Sequence, residues 1–179
     1  VDKITSSGQP DMLIDSIPPV SRVDEINIKR PEIYFGELTS NYALVNTSED
    51  EFDYPDRNSN KYARYEGDAG IKLNPINRLM FAIREHSLKT LVSGNIKSDS
   101  KILINRKISE RVKEIMPYLS YDKDPYMVTE NGKLYWIIDA YTHTANYPYS
   151  EPYNDETRTN YIRNSIKVVI DAYNGNTDY

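Results

Sequence analysis

Lys133–Thr144 reads KLYWIIDAYTHT, and residues 165–176 read SIKVVIDAYNGN, so the string IDAY occurs twice. Both runs are rich in branched and aromatic residues and are bounded by turn formers, which predicts two strands. Side chains alternate across a strand. In the first copy Trp136, Ile138 and Ala140 share one face, and Ile137, Asp139, Tyr141 and His143 share the other. In the second, Val168, Ile170 and Ala172 share one face, and Lys167, Val169, Asp171 and Tyr173 the other. One apolar and one mixed face is the pattern of an antiparallel sheet covered on one side.

Turn chemistry extends the reading. Asn131-Gly132 sits between PYMVTE and KLYWII and predicts a tight hairpin. Asn174-Gly175 predicts a second hairpin, yet the sequence ends at Tyr179 with little room for a return strand. That ending is expected of a segment excised from a longer polypeptide. Between the IDAY strands, HTANYPYSEPYNDETRTN reads as a long polar connection rich in Tyr and Pro.

Upstream, EIYFGEL and NYALVNT read as short strands. SEDEFDYPDRNSN reads as an acidic loop around a short strand at 52–54. Its acids Glu49, Asp50, Glu51, Asp53 and Asp56 suit either a bound cation or a solvated loop. A helix is predicted from the Asn74 cap and Pro75, with Ile76, Leu79, Met80 and Ile83 at helical spacing. The pattern weakens at His86-Ser87, resumes at Leu88, Leu91 and Val92, and ends at Gly94. A second helix is predicted after Ser98 or Asp99, with Ile108, Val112, Ile115, Met116 and Leu119 on one face and Pro117 ending or kinking it. Its other face carries Lys101, Arg106, Lys107, Arg111 and Lys113. Residues 1–30 hold Pro18-Pro19 and no sustained period, and read as an extended arm, pinned through Met12, Leu13, Ile14 and Ile17 or partly disordered. The expected fold is therefore α+β: residues 31–179 form a single domain, an antiparallel sheet with two main helices on one face, preceded by an extended N-terminal arm.

Composition narrows the chemistry. The chain has 179 residues and a formal net charge of -5, which disfavours nucleic acid and anionic membrane surfaces as partners. It has no cysteine, which excludes disulfides, thiol catalysis and Cys-based metal sites. Only two histidines occur, His86 and His143, and no nucleophile elbow, P-loop, dinucleotide fingerprint or zincin motif is present. No cofactor and no metal is expected. The 16 tyrosines against 3 phenylalanines suit half-wet sheet faces or a ligand surface, with Tyr141 and Tyr173 the candidates on the mixed face. A catalytic alternative exists. If the IDAY strands are neighbours and Asp139 meets Asp171, the like charges need a cation, a basic partner or a shared proton, and with His143 nearby they make an acid–base or metal cluster.

Several longer strings carry a resemblance. RPEIYFGELTSNYALVNT from Arg30, EFDYP from Glu51, YEGDAGI from Tyr65, NRLMFAI from Asn77, SDSKIL from Ser98, YWIIDAYT from Tyr135 and YIRNSIKVVIDAYNG from Tyr161 together resemble uncharacterised protein family 0182. Ala69 departs from that pattern, standing where a second glycine would be expected. The resemblance implies a large bacterial integral membrane protein, with this segment in the soluble portion outside the cytoplasmic membrane. It carries over no catalytic residue. The function expected is non-catalytic binding or assembly at the cell envelope. The partners expected are the remainder of the same polypeptide with its membrane-spanning region, an envelope protein or a glycan. The alternative is a hydrolase of envelope polymers that uses Asp139, Asp171 and His143.

Overall fold

The computed structural model describes residues 3–39, 42–56, 59–86, 93–153 and 156–179. Its sheets pair antiparallel throughout, and among the described residues two α-helices accompany them, giving an α+β fold. The chain divides into two compact units. One joins Val1–Glu37 to Ile108–Tyr179, and the other is Leu38–Lys107. Among the described residues, the single sheet of the sequence reading is replaced by a five-stranded sheet, a three-stranded sheet and two two-stranded pairs.

In the discontinuous unit, β1 (Ile14–Asp15) pairs with β2 (Val20–Ser21), and a 3-10 turn follows at Asp24–Ile26. Met12, Leu13 and Ile17 are exposed, so they do not pin this region as the sequence suggested. The main sheet is built on β10 (Lys133–Thr144) and β11 (Tyr161–Asp171). On the other edge of β10 lie β9 (Tyr126–Glu130) at one end and β8 (Ser120–Tyr121) at the other. The short return strand β12 (Thr177–Asp178) pairs with β11. Asn131 and Gly132 have φ of 52° and 82°, the left-handed pair that a two-residue turn matching strand twist requires.

The predicted apolar faces hold. Ile138 and Ala140 on β10, and Val168, Ile170 and Ala172 on and after β11, are buried. Register places Ile138 opposite Val168 and Trp136 opposite Ile170. Helix α2 (Ile108–Ile115) buries Ile108 and Val112. Its last turn is tied by the Tyr121 hydroxyl, whose one proton is shared between the carbonyls of Val112 and Met116 at 3.0 and 2.9 Å. Burial pushes that phenol up. The run EIYFGEL, which reads as a short strand, is not one: it bends, with a single bridge residue at Gly36, and closes over the sheet end. The N–H groups of Tyr34 and Phe35 donate to the Ala172 carbonyl, and Trp136 Nε1 donates to the Phe35 carbonyl at 3.0 Å.

In the other unit, β3 (Tyr42–Val45), β7 (Lys101–Ile104) and β6 (Ile71–Lys72) form the three-stranded sheet, and β4 (Glu51–Asp56) pairs with β5 (Ser59–Ala63). The helix predicted from Ser98 or Asp99 is corrected here. Lys101–Ile104 is a strand with Ile102 and Leu103 both buried, and Asn105 at φ 50° separates it from α2. A short apolar run buried on both faces reads alike as helix or strand, and the periodicity that marks α2 begins only at Ile108. Lys101 is therefore on a strand, away from the basic helix face assigned to it. Helix α1 (Pro75–Arg84) is capped as predicted, with Asn74 Oδ1 accepting from the Asn77 N–H at 2.8 Å. The continuation expected at Leu88, Leu91 and Val92 lies outside the described residues. In the YEGDAGI loop the left-handed position is Gly70, at φ 101° and tight against Leu103, while Ala69 donates its N–H to the Tyr65 hydroxyl.

Candidate functional site

The mixed face of β10 and β11 carries the predicted site residues, and the two strands are neighbours. Their register decides what the residues can do. Asp139 lies opposite Lys167, whereas Asp171 lies opposite Tyr135. Both aspartates therefore project to the same face, but Asp171 is four positions beyond Lys167, roughly 13 Å along the strands. His143 is likewise four residues from Asp139, in the opposite direction, opposite Ile162. The Asp139, Asp171 and His143 cluster that acid–base or metal chemistry requires is not brought together. Among the described residues no three His, Asp or Glu side chains gather as a metal site.

Each group instead has its own local partner. Lys167 Nζ donates to Asp139 Oδ1 at 2.5 Å, and Asn164 Nδ2 donates to the same oxygen at 3.2 Å. The Lys167 hydrogen bond holds the Asp139 carboxyl below its usual 3.8, against the opposing effect of partial burial, and Asp139 raises Lys167 in return. Lys167 Nζ also lies 3.5 Å from the Tyr126 hydroxyl and 5.6 Å from its ring centroid. Tyr141 is half-buried on this face, and its hydroxyl donates to Asp122 Oδ2 at 3.5 Å. Burial, then the charge of Asp122, pushes the Tyr141 phenol up. The Nδ1 of His143 is 3.1 Å from Ser120 Oγ.

Asp171 works as a turn residue. Its Oδ1 accepts the N–H groups of Tyr173 and Asn174 at 2.8 and 2.9 Å, and its carbonyl accepts the Gly175 N–H at 2.8 Å. A carboxylate that closes its own turn by accepting from the second and third residues onward is a common use of Asp at a strand end. The chain has left the strand by Ala172, so strict alternation no longer places Tyr173. That side chain is buried, not on the wet face: its ring meets Tyr34 edge-on at 5.1 Å, and the Arg30 guanidinium lies 4.3 Å over it. Beside the turn is a cavity of about 50 Å³ lined by Arg30, Glu32, Lys133, Asp171 and Tyr173, enough for ordered water. Among the described residues, Glu32 Oε2 is buried without a hydrogen-bond partner, a feature the sequence did not single out.

A second surface departs further from the sequence reading. The apolar stripe of α1 points outward. Ile76 is 70% exposed, Leu79 49%, Met80 64% and Ile83 64%. The inward side holds Phe81 and Ala82, together with partly buried Asn77, Arg78 and Glu85. Asn77 Nδ2 donates to the Lys72 carbonyl at 2.8 Å, and Arg78 donates to the Ser93 carbonyl at 2.6 Å. Helices in water normally turn such a stripe toward a core. Here Asn77 and Arg78 face in and serve backbone carbonyls, and among the described residues nothing covers the stripe.

The profile of the Uncharacterised protein family (UPF0182) matches residues 1–179. A UPF0182 protein of Clostridium botulinum (strain Okra / Type B1) is 56% identical over all 179 residues, which cover 20% of that relative. Relatives of the same name in Alkaliphilus metalliredigens (strain QYMF) and Clostridium acetobutylicum are 54% and 52% identical over the whole chain, which spans 19% of each. The chain thus spans about a fifth of the length of these relatives. No solved structure gives a significant match. Among the described residues no helix is long and apolar enough to cross a membrane.

Proposed function

This chain belongs to the Uncharacterised protein family (UPF0182), and from that premise we propose that it is a non-catalytic assembly segment of a larger bacterial membrane protein. It lies outside the cytoplasmic membrane and docks through α1 onto the remainder of the same polypeptide. The observation that carries this reading is the outward apolar stripe Ile76, Leu79, Met80 and Ile83. Contiguous apolar surface of this kind on a soluble segment marks an interaction face. The relatives carry about four-fifths of their length outside this segment, so the nearest and most concentrated occupant is the rest of the chain. The net charge of -5 argues against an anionic lipid surface as the occupant. Support for the non-catalytic part is the occupation of Asp139 by Lys167, of Asp171 by its turn and of His143 by Ser120. The extracytoplasmic placement rests on the family resemblance.

The test uses the full-length protein in lipid nanodiscs on a cysteine-free background, comparing maleimide labelling of Ile83→Cys with that of Tyr149→Cys. Ile83→Cys is expected to react at least tenfold more slowly, a difference of about 1.4 kcal/mol in accessibility. Equal rates would show the stripe to be open and end the docking reading. Protection that disappears when lipid is exchanged for detergent would assign the stripe to the bilayer instead of the polypeptide.

A further inference from the structure

Residues 29–35 cross the end of the main sheet and are held there on both sides. The Lys29 N–H donates to the Gly132 carbonyl at 2.9 Å, and the Tyr34 and Phe35 N–H groups donate to the Ala172 carbonyl at 3.0 and 2.9 Å. The crossing sets Arg30 and Glu32 in the wall of the cavity of about 50 Å³ that Lys133, Asp171 and Tyr173 also line.

Both signs of charge meet this cavity from anchored positions. Asp171 commits Oδ1 to the Tyr173 and Asn174 N–H groups, which fixes its carboxylate. The Arg30 guanidinium rests 4.3 Å over the buried Tyr173 ring. Glu32 Oε2 is buried and, among the described residues, has no hydrogen-bond partner, although Arg30 stands two residues earlier and Lys133 lines the same cavity. Opposite charges are thus held around one space without closing on each other at Glu32. A buried carboxylate oxygen is costly to leave unpaired and calls for a donor.

The charges present select the ligand. A simple cation would face Arg30 and Lys133, and a simple anion would face Asp171 and the Glu32 oxygen. An apolar group would strip all four of water without replacing its hydrogen bonds. A small zwitterion meets both signs at once: an ammonium donates to the carboxylates, and a carboxylate accepts from the ammonium and guanidinium groups. The cavity of about 50 Å³ has room for roughly four water-sized groups. That matches an ammonium and a carboxylate carried on one carbon, with any side chain small or directed out past the exposed Lys133.

We propose that this cavity binds the zwitterionic head of a free α-amino acid. Glu32 Oε2 accepts from its ammonium, and Lys133 and Arg30 hold its carboxylate. In a peptide those two charges belong to different residues, so the site reads the monomer. This site is independent of the α1 stripe, and either reading can fail without the other.

The experiment titrates the purified full-length protein in lipid nanodiscs with glycine, L-alanine and D-alanine by calorimetry. At least one is expected to bind with a dissociation constant below about 1 mM. Methylamine and acetate, which each carry one half of the head, should bind at least tenfold more weakly. Glu32→Gln removes the charge and keeps the shape, and should weaken binding about tenfold. Lys133→Met, at an exposed position, should do the same. Ile162→Ala, elsewhere on the sheet, should leave binding unchanged. An unshifted melting temperature in Glu32→Gln and Lys133→Met shows that a loss of binding is not a loss of fold. Absence of binding by all three amino acids, the result of a cavity that holds only ordered water, would overturn the proposal. So would binding that either folded variant leaves unchanged, or methylamine or acetate binding as tightly as the amino acid.

Discussion

Asp139 on β10 and Lys167 on β11 face each other across the strand pair, and their side chains meet at 2.5 Å. The contact answers what the repeated IDAY string leaves open. The first aspartate is matched with a base from the second copy's own strand, one residue before the second copy's apolar run. The second aspartate stands four positions away and closes a turn.

The pair fixes a pH response. Asp139 titrates below its usual value because Lys167 donates to the ionised form. Its contribution is present above the ordinary carboxylate range and is lost as pH falls through the lowered value. Lys167 is raised, so its contribution is complete below its ordinary 10.5 and is lost as pH rises through the elevated value. Carbon-detected NMR titration of Asp139 should show the low value, and Lys167→Met should move it upward. An Asp139 titration unmoved by Lys167→Met would rule the pairing out.

Asp171 is predicted to tolerate Asn. The amide oxygen can accept the same Tyr173 and Asn174 N–H groups, so Asp171→Asn should stay near wild-type stability, while Asp171→Ala should lose about 1–2 kcal/mol. Chemical denaturation compares them. Equal losses in both variants would mean that the charge, not the turn, is what the position supplies.

Gly175 is predicted to resist any side chain. It sits at φ 70°, and a Cβ there would lie 2.7 Å from the buried Phe35 ring. Gly175→Ala combines left-handed strain with overpacking and should cost roughly 2–4 kcal/mol in a denaturation midpoint analysis. A change below measurement error would show that Phe35 can withdraw.

Two isoleucines on the same strand pair should behave oppositely. Ile138 is buried opposite Val168, and Ile138→Ala should cost about 2–5 kcal/mol. Ile162 is exposed opposite His143, and Ile162→Ala should stay within about 0.5 kcal/mol of wild type. Matching losses would mean that both faces of the sheet are covered.

Tyr149 stands fully exposed on the loop between β10 and β11, which makes it a reporter of topology. In intact cells carrying the full-length protein, Tyr149→Cys should react with a membrane-impermeant maleimide. Labelling that requires lysis would place the segment in the cytoplasm and remove the extracytoplasmic part of the proposal.

Much of the local structure was legible because it depends on neighbours in sequence. Asn131-Gly132 specified its hairpin through backbone conformations that few other residues adopt, and Asn74-Pro75 specified the start of α1. Alternation in the IDAY strands specified which side chains are buried up to Ala172. The reading failed where that local rule stopped applying. Alternation misplaces Tyr173 because the chain has already turned at Ala172, and Lys101–Ile104 reads as part of the helix that follows because four apolar-rich residues have no distinguishing period.

The sequence by itself determined the α+β class, the hairpins, the apolar faces of β10 and β11, and the family. These follow from backbone preferences and from the period of side chains along one segment. Only the tertiary structure decided which residues face each other and which surfaces remain uncovered. A strand's own pattern is equally satisfied by registers that differ by two residues, so Asp139 meeting Lys167 rather than Asp171 is settled by the packing of Ile138 on Val168 and by the turns at either end. The outward stripe of α1 is decided in the same way, because an amphipathic period states that a helix has two faces and not which one the neighbouring strands will cover.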